Sequence, residues 1–361
     1  MKNLPINDKK YNSMSEQDLS EELLIATLNG DLDLVKYLLT SPNLKKHAYV
    51  GYVNNLAMID IPALSDIFMV AASKGHLEII KYLVKENVDI TINKKNIDYE
   101  NALILAVKNK HIDIVKYLLN SSEVKSHFDI NSLNMLNENS LFISCKNNDL
   151  EMVKALLDFT EQKDLNIYHK NNAGNNFLMY ACIKGDDQLI KFVFEYKLVD
   201  RKLCQDKDVG GMSAIHYLGV QNVELLDYLL TNNKNIDIDN NTIQGIFNSA
   251  LTKDNLEVAQ YLLTNEKTKN FINIFDMNND NESLFFKACY LKSNKILKYL
   301  LIDLNIEVKE VVLNLLKEKS EKDFFRDKYI GVLEMIKTRD FYNKIDNNLS
   351  STNKVMPKIK I

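Results

Sequence analysis

The sequence NKHIDIVKYLL, residues 109–119, decides the fold of this chain because versions of it recur along most of the length. Two earlier copies read NGDLDLVKYLL at 29–39 and KGHLEIIKYLV at 74–84. The five later copies are NNDLEMVKALL at 147–157, KGDDQLIKFVF at 184–194, QNVELLDYLL at 221–230, KDNLEVAQYLL at 253–263 and KSNKILKYLL at 292–301. Copies spaced by about 33 to 45 residues indicate a repeat protein, in which each unit buries its apolar face against its neighbours.

Each copy predicts an amphipathic helix, because its apolar residues recur three and four positions apart. A pair of small residues stands ahead of several copies, as at Ala71-Ala72, Ala181-Cys182 and Ala288-Cys289. Such pairs let a first helix approach its neighbour closely. The 361 residues include only 10 Gly and 4 Pro, which favours helices over the tight turns of β-sandwiches and barrels. So few glycines also largely exclude glycine-rich phosphate-binding loops.

The repeat resembles the ankyrin repeat, a unit of about 33 residues that opens on T-P-L-H-x-A. The best match to that opening is GMSAIHYL at 211–218, with Ser213, Ile215 and His216 in the Thr, Leu and His positions. Asn replaces the turn Gly in several repeats, as at Asn137, and Asn tolerates left-handed backbone. The resemblance implies an all-α ankyrin-repeat solenoid of about eight helix-turn-helix repeats with a helical C-terminal cap.

We expect four segments along the chain: a polar, disordered N-terminus at 1–18, the repeat array at 19–302, the cap at 303–345 and a disordered tail at 346–361. A longer insertion at 40–65 follows the first copy. The sixth copy is one residue short, and Asp227 replaces the Lys of the repeat there. We therefore predict a weak point of the stack at the sixth copy.

Charge and cysteine content exclude several classes of protein. The net charge is −4, from 45 Lys+Arg and 49 Asp+Glu, which excludes a strongly basic nucleic-acid coat. Four Cys without regular close spacing form neither a disulfide framework nor a zinc site.

The first residues lack the apolar run of a Sec signal, and no stretch approaches the ~20 apolar residues of a membrane span. We expect a soluble monomer, located in the cytoplasm or exported into a host cell without a Sec signal.

The polar C-terminal tail adds to the export hypothesis, because it resembles the tails of bacterial effectors that use type IV systems. Ankyrin-repeat proteins of intracellular bacteria are often such effectors. The resemblance therefore suggests that the protein acts on a host protein as a secreted effector.

No residue pattern predicts a catalytic centre, a cofactor or a metal site. The resemblance implies that His76, His111 and His216 hydrogen-bond backbone within their repeats. Cys145, Cys182 and Cys289 occupy small core positions. Asp276, Asn278 and Asp280 begin a calcium-loop pattern, but position 12 is Lys287 instead of the Glu that a calcium loop requires.

The resemblance implies that a partner protein binds at the turn tips and at two exposed positions near the end of each first helix. Five of eight repeats carry Lys at these positions, and such a row favours a partner with an acidic surface. A lysine-rich composition offers a simpler explanation, since Lys also fills exposed positions of the second helix. The predicted binding residues are Lys74, Lys108, Lys146, Lys184, Lys253 and Tyr290, with Lys94, Lys170, Asn240 and Asn279 at the turn tips.

Three alternatives to protein binding stay open. An enzyme would assemble its site across several repeats, from titratable groups brought together in a pocket. A structural spacer would hold other domains apart. An RNA-binding solenoid would need aromatic residues recurring at the exposed first-helix positions, and they do not recur there. With only three Arg residues, the chain is also poorly equipped for nucleic-acid recognition.

Overall fold

The structure, a computed structural model, describes residues 10–11, 13–40, 66–86, 92–125, 129–160, 165–197, 199–221, 223–236, 238–275, 283–304, 313–314, 316–317, 329–340 and 343. Within these ranges the ordered elements are helices, and no strand occurs. The predicted all-α class is therefore confirmed. The chain divides into two compact units: unit 1 is Met1–Val193 with Lys207–Val209, and unit 2 is Phe194–Asp206 with Gly210–Ile361.

Unit 1 is built from pairs of helices, one pair for each repeat. Repeats 1 to 5 contribute the pairs α1/α2, α3/α4, α5/α6, α8/α9 and α10/α11, and the short α7 follows repeat 3. Their bounds are α1 Glu16–Asn29, α2 Leu32–Thr40, α3 Ile67–Lys74, α4 Leu77–Lys85, α5 Ala102–Lys108, α6 Ile112–Asn120, α7 Ser122–Lys125, α8 Ser140–Lys146, α9 Leu150–Thr160, α10 Phe177–Lys184 and α11 Asp187–Glu195. The last two residues of α11 belong to unit 2.

Unit 2 continues the pattern with less regular helices. Repeat 6 pairs a 3₁₀ turn with α13, and repeats 7 and 8 contribute α14/α15 and α16/α17. The bounds are α12 Arg201–Gln205, the 3₁₀ turn His216–Val220, α13 Val223–Asn232, α14 Asn240–Lys253, α15 Leu256–Thr264, a second 3₁₀ turn Lys269–Phe271, α16 Leu284–Leu291, α17 Asn294–Lys298 with a π turn Tyr299–Asp303, and α18 at 329–340.

A capping side chain starts the first helix of repeats 2 to 5. Asp66 accepts a hydrogen bond from Met69 N at 2.8 Å, and Asn101 accepts one from Ile104 N at 3.0 Å. Asn139 and Asn176 cap α8 and α10 in the same way, at 3.1 Å and 3.0 Å. Such caps satisfy a backbone donor that the helix leaves free and stabilise each helix by about 1 kcal/mol.

The core of each unit is the apolar stripe that the periodicity predicts. In α4 the buried residues are Ile79, Ile80 and Leu83, and in α6 they include Ile114 and Val115. First helices contact first helices, and second helices contact second helices, from repeat to repeat within unit 1. A single pair of helices cannot cover its own stripe, so the neighbouring repeat completes the burial.

Histidines join consecutive repeats, which differs from the role that the resemblance implies for two of them. His76 Nε2 donates to the carbonyl oxygen of Leu28 at 2.9 Å, and His111 Nε2 donates to that of Ser73 at 3.0 Å. Both acceptors belong to the preceding repeat. His216 alone follows the expectation, because its Nδ1 accepts from Ser213 N at 2.9 Å within the same turn. His169 behaves like His76, since its Nε2 donates to Asn137 O at 2.9 Å.

Beyond repeat 8, the described part of the predicted cap is helical. Tyr329, Val332 and Ile336 of α18 are buried, as is Leu316. The N-terminal residues 1–9, the segment 41–65, the calcium-like residues 276–282 and the tail at 346–361 lie outside the described residues. Among the residues that are described, no helix is both long and apolar enough to cross a membrane.

Candidate interaction surface

An asparagine shapes the turn that precedes the first helix in repeats 3, 4 and 5. Asn96 Oδ1 accepts hydrogen bonds from the backbone N of Asp98 and of Glu100, both at 2.9 Å. Asn134 and Asn171 make the same pair of bonds to the residues two and four positions further on. The side chain therefore folds its own loop back, as Asx turns do. We call residues 96–100, 134–138 and 171–175, together with Val209, the turn tips.

Backbone hydrogen bonds join the turn tips in a row within unit 1. Met135 N donates to Asp98 O at 2.9 Å, and Asn172 N donates to Leu136 O at 3.3 Å. Val209 N then donates to the carbonyl oxygen of residue 173 at 3.1 Å. The tips of repeats 4 and 5 are thus fixed both by their own Asn and by the preceding tip. The row is a surface of defined shape and not a series of independent loops.

Large apolar side chains are exposed on this row. Val209 is 82% exposed, Tyr99 and Met135 are each 60% exposed, Leu136 is 52% exposed and Ile97 is 49% exposed. We call these five residues the apolar tip row. Apolar groups gathered on an exposed surface of a globular protein mark sites where a partner binds. The sequence pattern predicted turn tips around Lys94, Lys170, Asn240 and Asn279 and did not indicate these five residues.

Two of the predicted binding lysines are ion-paired within their own repeats. Lys108 Nζ lies 2.8 Å from Glu100 Oε1, and Lys146 Nζ lies 3.3 Å from Glu138 Oε1. The two Glu side chains are only 4% and 2% exposed. A carboxylate buried to this extent requires a cation or hydrogen-bond donors. The positive charge of both lysines is therefore used inside the protein.

The sequence contained a signal for these pairs. Each glutamate stands eight residues before its lysine and directly before the Asn that caps the first helix, in the pairs Glu100-Asn101 and Glu138-Asn139. No helical spacing joins positions that far apart, so the pairing needs the turn to bring the chain back. The repetition of the pattern in two consecutive repeats was the available clue.

A cavity of about 270 Å³ lies between the tips of repeats 3 and 4. Ile143 is nearly buried in its wall, while Met135 and Leu136 are exposed at the adjoining tip. The charged lining contains three carboxylates and two ammonium groups. The lining residues are Asp98, Glu100, Lys108, Asn134, Met135, Leu136, Glu138, Ile143, Lys146 and Asn147.

The other predicted lysines lie at helix ends. Lys74 and Lys184 end α3 and α10 in unit 1, and both are exposed without an ion pair to any described residue. Lys94 and Lys170 flank the turn tips and are half-buried, and Lys170 Nζ donates to Lys207 O at 2.9 Å. Lys253 ends α14 in unit 2 and is exposed.

The remaining predicted residues do not gather at the turn tips of unit 1. Tyr290 is 44% exposed on α16, and Asn240 is the first residue of α14, where its Oδ1 accepts from Gln244 Nε2 at 2.8 Å. Both residues belong to unit 2. Asn279 lies outside the described residues.

The thiols lie in the interior. All four cysteines are buried and none forms a disulfide, and burial raises the pKa of Cys145 and Cys289 far above the usual thiol range. Cys204 of α12 is buried too, and burial raises its pKa to about 12. No three His, Cys, Asp or Glu residues of the described ranges are placed to hold a metal ion.

Comparison with known proteins identifies the family. The family model described as ankyrin repeats, in three copies, matches residues 23–131, 122–202 and 141–242, which together cover more than half of the chain. The chain belongs to the ankyrin-repeat family. Over 114 residues it is 33% identical to Putative ankyrin repeat protein L66 of Acanthamoeba polyphaga mimivirus. That match covers 31% of this chain and 16% of the relative.

Membership in the family gives only a general indication of the role. Ankyrin repeats indicate a protein–protein interaction module, and the predicted family and fold are confirmed. Because the match spans only 16% of the viral protein, it transfers no partner and no process.

Proposed function

We propose that this ankyrin-repeat chain is a non-catalytic binding module that holds a partner protein against the turn tips and first-helix ends of repeats 3 to 5. The observation that supports this most is the apolar tip row, five large side chains held exposed by a hydrogen-bonded backbone. A partner that covers these residues removes apolar surface from water, which stabilises the complex by roughly 25 cal/mol per Å² before the costs of association.

Fixed geometry strengthens this proposal. A surface that is already in its binding conformation loses little conformational freedom when the partner arrives, so more of the contact energy contributes to affinity. Large residues such as Tyr99 and Met135 are of the types that are enriched at the centre of protein interfaces. We expect these two side chains to contribute most to binding.

Charge has a smaller part in the proposal than the sequence suggested. Lys108 and Lys146 are paired with buried glutamates, which leaves Lys74 and Lys184 as the candidate free cations of the predicted row in unit 1. These two lysines would attract an acidic partner surface and raise its association rate, but salt would screen this effect. The secreted-effector role stays a prediction from the sequence.

A crosslinking experiment tests the proposal. The full chain would carry a photo-activated phenylalanine analogue at Met135, and a matched chain would carry it at Lys116, which is exposed on α6. We expect partner proteins in a lysate to crosslink at residue 135 and not at residue 116. The double change Met135→Ser with Leu136→Ser should reduce capture of the same partner by the unlabelled chain at least tenfold. Equal crosslinking at both positions would overturn the proposal.

A further inference from the structure

We propose that the cavity between the tips of repeats 3 and 4 receives a cationic side chain of a partner peptide, Arg or Lys, with an aliphatic residue directly beside it. This inference rests on the proposed function, because it names the chemistry that the same surface recognises. The cavity at about 270 Å³ is slightly below the usual range for small-molecule and cofactor sites. Its size suits one or two side chains of a peptide.

The charges of the lining favour a cation. Glu100 and Glu138 each have a lysine, whereas Asp98 is half-buried and its carboxylate makes no hydrogen bond or ion pair with any described residue. The lining therefore carries one uncompensated negative charge. A guanidinium or ammonium group placed beside Asp98 would neutralise that charge in a partly desolvated site, where such pairs are stronger than in open water.

An anionic side chain would meet the opposite situation. It would approach the uncompensated Asp98, or it would have to draw Lys108 or Lys146 away from a nearly buried glutamate. If Glu100 or Glu138 lost its lysine, the complex would contain an unpaired buried charge, which would destabilise it. The lysines that suggested an acidic partner from sequence therefore do not attract one at this cavity.

The walls account for the aliphatic neighbour. Ile143 is only 5% exposed within the cavity lining, and the exposed Met135 and Leu136 adjoin it at the tip of repeat 4. The 2.9 Å backbone hydrogen bond from Met135 N to Asp98 O holds the two residues next to each other. One peptide residue can therefore reach Asp98 while the next covers the apolar wall.

Selection from a random peptide library displayed on phage tests the inference. The immobilised target is the full-length chain, and the best peptide is then synthesised with fluorescein for anisotropy titration. We expect enrichment of Arg or Lys next to Leu, Ile, Met or Val. Asp98→Asn should weaken the labelled peptide at least fivefold, and Asp113→Asn, which removes an exposed carboxylate from α6 of the same repeat, should not. A peptide in which neutral citrulline replaces Arg should bind the wild-type chain more weakly, by about the same factor as the Asp98→Asn change. The same peptide change should have little further effect on binding to the Asp98→Asn chain.

The outcomes separate this inference from the proposed function. Enriched acidic peptides, an unchanged affinity of Asp98→Asn, or no enriched peptide at all would each overturn the inference. Acidic or neutral peptides that are lost with Met135→Ser would still support binding at the tips. Thermal melts of Asp98→Asn and Asp113→Asn that match the wild type show that any loss of binding is not a loss of folding.

Discussion

Tyr261 donates its phenolic hydroxyl to Asp227 Oδ1 at 2.7 Å, and this hydrogen bond joins the second helices of repeats 6 and 7. In repeats 1 and 4 the position of Asp227 is a lysine that lies against an aromatic ring of the following repeat. Lys36 Nζ lies 5.7 Å from the ring centroid of Tyr82, and Lys154 Nζ lies 5.8 Å from that of Phe192. Asp227 therefore replaces a cation–π contact with a hydrogen bond, and the contact between repeats is kept.

The Asp227 contact predicts a change in alkaline stability. Burial, followed by the hydrogen bond to Asp227, raises the pKa of Tyr261 above its usual value near 10. A raised pKa means that the stabilisation is fully present below about pH 10 and is lost as the pH rises towards the folded-state value. We expect Tyr261→Phe to be less stable than wild type at neutral pH and to lose less stability between about pH 9 and 11.

Urea unfolding of both proteins across this pH range measures that difference. Subtracting one curve from the other removes the lysine and tyrosine titrations that the two proteins share. A difference between wild type and Tyr261→Phe that stays constant with pH would contradict the assignment. Asp227→Ala should lower the pKa of Tyr261, which a titration followed by NMR of labelled tyrosine would detect.

A second prediction concerns the glycine that faces His111. Gly75 has a φ of +84°, and a Cβ there would lie 2.7 Å from the His111 ring. Gly75→Ala therefore combines backbone strain with a clash, and we expect it to lower the free energy of unfolding by about 2–4 kcal/mol. Gly211→Ala is the matched control, because Gly211 has a φ of +77° but no atom within 4 Å of the added Cβ.

The control should cost only the strain, about 1 kcal/mol. Adding His111→Ala to Gly75→Ala should remove the clash, so the double variant should be more stable than the sum of the two single effects predicts. Additive effects, measured by urea unfolding, would show that the ring and the glycine do not interact.

A third prediction separates the two partners of a buried ion pair. Lys108→Met leaves the Glu100 carboxylate nearly buried without its cation, and we expect a loss of about 1–3 kcal/mol. Glu100→Gln leaves only a lysine that is 51% exposed and can turn to solvent, so it should cost less. The measurement is urea unfolding at neutral pH, and a larger loss for Glu100→Gln than for Lys108→Met would contradict this account.

The sequence predicted the features that recur along the chain, but it did not predict the contacts between residues that the turns bring together. Stripes such as Ile79, Ile80 and Leu83 follow from helical spacing, which is local. The pairing of Glu100 with Lys108 depends on the path of a turn shaped by the Asn96 side chain, and no helical period contains it. The exposure of Met135 depends in turn on where the neighbouring tip lies. The binding surface was therefore harder to predict than the fold.

The last prediction concerns the stability of repeat 6. Asp227, one of the two features from which the sequence predicted weakness, does not weaken repeat 6, because its carboxylate accepts a hydrogen bond from Tyr261. The first helix of repeat 6 is a reason for weakness: it is a 3₁₀ turn, His216–Val220, whereas the first helices of the other repeats are α-helices of seven residues or more. A 3₁₀ turn has poorer hydrogen-bond geometry than an α-helix and is stable only in short pieces.

The close packing around this turn makes it depend on its neighbour. A Cβ on Gly219 would overlap the Ile246 carbonyl oxygen, so the turn lies directly against α14. We expect amides at 216–220 to exchange with solvent at least tenfold faster than those at 102–108 in α5, because opening requires only the loss of a short, weakly bonded turn. Gly219→Ala should separate the turn from α14 and speed exchange in both elements, whereas Gly211→Ala should not. Hydrogen exchange read by mass spectrometry decides this, and slower exchange at 216–220 than in α5 would show that packing against α14 more than offsets the poorer hydrogen bonds.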